Sequence, residues 1–125
     1  MNPRTRTIIE SPFAGTSLAL RQRNKLYLRA CLRHSFSLGE APFASHRLYT
    51  DALDDDDPRA REAGIEAGFA WAEVAEIWAF YTDLGWSGGM RAAEEEAQAW
   101  LRRAEGTSRR VTIRSLGGAW RDDYL

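Results

Sequence analysis

The order in which apolar runs and helix-period segments follow one another predicts the α/β class, with a parallel sheet covered by helices on both sides. Three observations carry that expectation. Four brief runs rich in branched and aromatic residues alternate with three longer segments whose apolar residues recur at helical spacing, and such alternation produces parallel strands joined by helical crossovers. Glycine or proline punctuates the changes of period. A length of 125 residues with 44% hydrophobic content suits one domain, residues 1–125, with one sizeable core.

The first run, Thr7 to Ile9, reads as a strand, and Glu10-Ser11-Pro12-Phe13-Ala14-Gly15 turns it into a loop. Ser11 then stands at a strand end, where open parallel sheets hold their ligands, although Ser11-Pro12 also reads as an ordinary turn. From about Leu18 to Leu38 the period is helical, with Tyr27, Leu28, Cys31, Leu32 and Ser35 on one side, and Gly39 ends it. Cys31 is the single cysteine and reads as a small core residue. His34 is expected to face solvent, and Arg21, Arg23 and Lys25 to form a solvated basic face. Ala41 to His46 is expected to be a second buried strand with His46 at its end. An imidazole there can donate to a ligand oxygen or move a proton, or it can be a hydrogen-bonded structural residue.

The acidic run Asp54-Asp55-Asp56-Asp57 precedes Pro58. Its spacing does not match a calcium loop, so Asp57 reads as a helix N-cap and Pro58 as the first helical residue. The helix continues through Ile65, Phe69 and Ala72. Gly64 and Gly68 leave a smooth patch on it, which predicts that another backbone or a partner subunit comes close. Ile77 to Tyr81 is a buried strand, and Asp83, Ser87, Gly88 and Gly89 form the turn after it. Met90, Ala93, Ala97, Trp100 or Leu101, and Ala104 then recur on one face of a helix. The first turn of that helix leaves backbone N–H groups available to an anion, while Ser87 and the glycines also read as a plain cap and turn. Gly106 closes the helix, Val111 to Leu116 supplies the last strand, and the tail from Gly117 to Leu125 has no periodicity. Ligands in such sheets gather beyond the carboxyl ends of the strands, which collects Ser11, Pro12, Phe13, His46, Asp83, Ser87, Gly88, Gly89 and Met90 in one crevice.

A net charge of -1, from 17 basic and 18 acidic residues, provides no global field for a nucleic-acid polymer or an anionic membrane. No apolar run approaches the roughly 20 residues of a bilayer span, and the N-terminus lacks a signal-peptide core, so a cytoplasmic protein is expected. Five tryptophans are many for so short a chain, and some are expected to line a pocket or a subunit contact. No metal or cofactor is assigned.

Taken together and in this order, IIESPFAG, PFASHRLYTDALDDDDP and YTDLGWSGGM resemble a group of small phage and bacterial proteins related to the nucleoside 2-deoxyribosyltransferases, over roughly Thr7 to Leu116. The resemblance implies a flavodoxin- or Rossmann-like three-layer sandwich of about four to five strands, a nucleoside or nucleotide ligand, and a homodimer or larger assembly. Enzymes of that superfamily use a glutamate three residues past the second member of a Gly-Thr or Gly-Met pair. With Gly89-Met90 as the pair, that position is Ala93, which has no carboxylate. Glu94 is one residue on, rotated about 100° around the helix, and Asp83 is the other candidate acid. The expectation is therefore a nucleotide-binding protein that holds and sequesters a ligand such as a cyclic or ADP-ribose-type defence signal. The alternative is an N-glycosidase or deoxyribosyltransferase acting on a nucleoside monophosphate, with Asp83 or Glu94 as its carboxylate.

Overall fold

A computed structural model describes residues 3–54, 56–104, 106–118 and 120–121. Asp55 of the acidic run, and Ala119 and Asp122 to Leu125 of the tail, lie outside the described residues. The elements are β1 (Thr5–Glu10), α1 (Leu18–Ser37), β2 (Glu40–Phe43), α2 (Ser45–Ala52), α3 (Pro58–Ala72), β3 (Ile77–Tyr81), α4 (Gly88–Arg103) and β4 (Arg110–Arg114). All strand pairs are parallel and the spatial order is β2-β1-β3-β4. The chain is a three-layer α/β sandwich of Rossmann/flavodoxin-like form, as expected. No helix among the described residues is long and apolar enough to cross a membrane.

Strand alternation decides which side chain meets which layer. Ile8, Trp78 and Phe80 point to the face covered by α3 and α4, where they meet Ala72, Met90, Ala93, Ala97 and Trp100. Ile9, Ile77, Ala79 and Tyr81 point to the opposite face, against Tyr27, Leu28 and Cys31 of α1 and against Trp120. β3 is buried throughout, which explains its unbroken run of apolar residues.

Three helices start on the caps that their sequences offer. Ser17 accepts from the Leu20 N–H, Asp57 from that of Arg59 with Pro58 following, and Ser87 from that of Met90. The acidic run therefore serves α3 at least through Asp57. Gly39 and Gly106 adopt positive φ just past the ends of α1 and α4.

The second strand is shorter than expected. It ends at Phe43, and Ser45 and His46 belong to the first turn of α2, a helix absent from the sequence-based reading. Its N-cap is Ala44, with no side-chain cap bond, so the usual start signal is missing. The smooth patch on α3 receives this helix. A Cβ at Gly68 would lie 2.9 Å from the Ser45 Cβ, and one at Gly64 would lie 3.3 Å from the Tyr49 Cβ.

On the α1 face Arg114 donates to both carboxylate oxygens of Glu40, at 2.8 and 2.6 Å, and to the Tyr81 hydroxyl at 3.0 Å. Ser35 also donates to Glu40, at 2.7 Å. His34, expected in solvent, has Nδ1 2.8 Å from the Tyr81 hydroxyl and packs edge-on against that ring. This network ties β2 to β4, the two edges of the sheet.

Candidate functional site

In the order β2-β1-β3-β4 the chain direction across the sheet reverses between β1 and β3. In open parallel sheets that reversal opens a crevice at the carboxyl ends of the two strands. A cavity of about 380 Å³ lies there on the α3/α4 side, walled by the end of β1, by α2 and α3, and by the first turns of α4. That volume falls within the roughly 300–1,000 Å³ typical of small-ligand pockets. Most of the wall is apolar, from Phe13, Leu53, Ile65, Phe69, Met90 and Ala93.

Few polar groups interrupt it. Buried Ser11 has its Oγ 3.2 Å from His46 Nε2, and the His46 ring meets Phe13 edge-on with centroids 5.6 Å apart. Burial lowers the His46 pKa to about 4, so the imidazole is neutral at pH 7. Its Nδ1 is buried with no hydrogen-bond partner among the described residues. A buried polar atom without a partner costs about 1–3 kcal/mol, and this nitrogen carries that cost beside the cavity.

The N-terminus of α4 supplies the second polar feature. Ser87 Oγ takes the Met90 N–H at 3.1 Å and the Ser87 carbonyl takes that of Arg91. The Gly88 and Gly89 amides have no partner within the helix. A Cβ at Gly88 would meet nothing within 4 Å, and one at Gly89 would meet only Ser87 Oγ, at 3.9 Å. Packing does not demand these glycines; their effect is to leave the amides unshielded at the cavity wall. Arg61 of α3 adds a cation to the same wall.

The third polar feature, Glu10, was missed in the sequence. Its side chain shares a face with Ile8, Trp78 and Phe80, and among the described residues it is the one carboxyl in the wall. Trp78 Nε1 donates to Glu10 Oε1 at 3.3 Å. Burial pushes the Glu10 pKa up to about 7, with the Trp78 bond pulling the other way. The available signal was the parity of β1, since two residues separate Glu10 from the core residue Ile8.

Of the residues gathered from the sequence, the cavity brings together Ser11, Phe13, His46, Ser87, Gly88, Gly89 and Met90. Pro12 is buried but outside the wall, and Glu94 is likewise outside it. Asp83 turns to the α1 side. It accepts from the Tyr27 and Ser115 hydroxyls and from the Leu116 and Gly117 amides, and so fixes the segment after β4. Burial works to raise the Asp83 pKa, and these hydrogen bonds outweigh it and hold the carboxyl below its ordinary value. None of the five tryptophans lines the cavity. Trp78 and Trp100 are core residues, Trp71 is exposed, and Trp120 packs on Tyr27 of its own chain.

No curated protein and no solved structure matches the chain. A family model described as "Domain of unknown function (DUF7768)" matches residues 5–105, which is most of the chain, and the protein belongs to that family.

Proposed function

We propose that the protein binds a small nucleotide-like molecule in the cavity at the β1/β3 reversal and holds it without efficient turnover. The observation that carries this reading is the convergence of the bare Gly88 and Gly89 amides with the Ser11–His46 pair on one mostly apolar pocket. The α4 amides suit a phosphate, because the helix dipole and unpaired N–H groups favour an anion there. The apolar wall suits a base or sugar. The resemblance to the nucleoside 2-deoxyribosyltransferase superfamily supports the same ligand class, and Ala93, which lines the cavity with a methyl group, supports binding over cleavage. Sequestration of a nucleotide-derived signal is the biological role we attach to such a protein.

Calorimetry with nucleoside monophosphates, adenine dinucleotide derivatives and cyclic nucleotides tests the reading. Binding that is lost in His46→Ala and in Gly89→Val supports it; silence across the panel refutes it. The second reading, cleavage at the N-glycosidic bond of a nucleoside monophosphate, is favoured by Glu10, an acid within the pocket. Release of free base, followed by chromatography, would establish it. We further propose a homo-oligomer in which a second copy covers Leu48, Ile65 and Trp71, which α2 and α3 leave exposed. A monomer in sedimentation would exclude it.

A further inference from the structure

Among the described residues Glu10 is a carboxyl without an ion pair. It accepts one hydrogen bond, from the Trp78 indole at 3.3 Å. The titratable or charged groups that share its cavity are His46 and Tyr49 from α2 and Arg61 from α3. From β3 it meets Trp78, and Ser87, Met90, Ala92 and Ala93, at the end of α4 that lines the same cavity, carry no charge. His46 is held neutral by burial. A carboxyl set among apolar walls keeps its proton to a higher pH than an exposed one, because the charged form is the one that burial disfavours. A retained proton converts the group from an acceptor into a donor.

We propose that Glu10 is a ligand-recognition group acting as a carboxylic acid, donating its O–H to a carbonyl oxygen or unprotonated ring nitrogen of a ligand whose anionic end lies on the amides of α4. This rests on the reading of the cavity as a ligand site and narrows the ligand class. The molecule carries negative charge at one end and an uncharged hydrogen-bond acceptor at the other. A ligand that presents an acceptor at Glu10 is favoured over one that presents only N–H donors, since the O–H of the acid finds no partner on the latter. Uptake is therefore linked to proton occupancy. The charge of Glu10 at high pH also repels the anion that α4 attracts.

The test has two arms. The first follows the side-chain carboxyl carbon of Glu10 by NMR in the ligand-free full chain across the pH range, with Glu10→Gln to assign the signal. A midpoint near neutrality supports the proposal. A midpoint in the ordinary carboxylate range overturns it and leaves the ligand site intact. The second arm repeats the calorimetric panel at two pH values. With a folded-state pKa of about 7, binding to the protonated form alone weakens by about 30-fold between about pH 6 and pH 8.5. Over the same range a monophosphate gains charge, which favours the α4 amides, so weakening is not the ligand's own titration. Glu10→Gln keeps a donor that cannot ionise, and its affinity should not weaken over the same range. Equal wild-type affinity at both pH values overturns the proposal while the ligand site stands. An absence of binding at both overturns the ligand site and the proposal together.

Discussion

Two residues of the cavity wall titrate in opposite senses. Glu10 has a folded-state pKa raised to about 7, so its contribution to stability is full below the ordinary carboxylate range and is lost as pH rises to about 7. His46 has a folded-state pKa lowered to about 4, so its contribution is present above about pH 6.5 and is lost as pH falls toward 4. The shifts are similar in size, and between about pH 4.5 and 6.5 their slopes offset one another. Glu10→Gln should therefore uncover a stability that rises with pH across this interval. His46→Gln should uncover one that falls, each by at most about 3 kcal/mol. Urea unfolding at a series of pH values measures both, and parallel curves for wild type and variants would show that neither group is perturbed. Asp83 belongs to the other face of the sheet. Asp83→Ala strands the Tyr27 hydroxyl and the Leu116 and Gly117 amides, at a cost of about 2–4 kcal/mol. It should leave nucleotide binding unchanged, as calorimetry against the same panel would show.

At the scale of elements, α2 decides whether the cavity exists, because it contributes Ser45, His46, Tyr49 and Thr50 to the wall. It lies close to α3 because Gly68 has no side chain where the Ser45 Cβ arrives. Gly68→Ala should push α2 away, with a net loss of about 1–2 kcal/mol after the better helix propensity of alanine is counted. Ligand affinity should fall with it, and a crystal structure of the variant should show a displaced α2. The two glycines announced a close approach, and their spacing made that legible. The identity of the approaching element was not, since α2 begins at Ala44 without a capping side chain and follows Phe43 in what reads as one apolar run. The caps Ser17, Asp57 and Ser87 were readable, and so were the helices that they start. The wall residues at strand and helix ends followed from topology, whereas Glu10 and Asp83 depended on parity. In β3 the odd positions face α1, and Asp83 continues that series beyond Tyr81. In β1 the even positions face α4, and Glu10 continues that one.

Across the whole molecule, the Glu40–Arg114 pair joins the two edge strands over the α1 face, with side-chain exposures of 5% and 11%. Burial works to raise the Glu40 pKa, while hydrogen bonds from Arg114 and Ser35 bring it below its ordinary value. Arg114→Met leaves that carboxylate buried without its cation and should cost about 3–5 kcal/mol. Adding Glu40→Met should recover much of the loss, and denaturant midpoints of the single and double variants would measure the coupling. A double variant no more stable than the single would show that the cost comes from lost packing.

The second place of β1 in the sheet has a further bearing, on biosynthesis. The strand leaves the ribosome before both of its neighbours, and one of them is β3; the indole that reaches Glu10 comes 68 positions later. Until β3 and α4 have emerged, Ile8 lacks most of the cluster that buries it, and folding waits on the distant half of the chain. A translation intermediate stalled within α3 would therefore hold an open strand edge and half a pocket, a natural client for a chaperone.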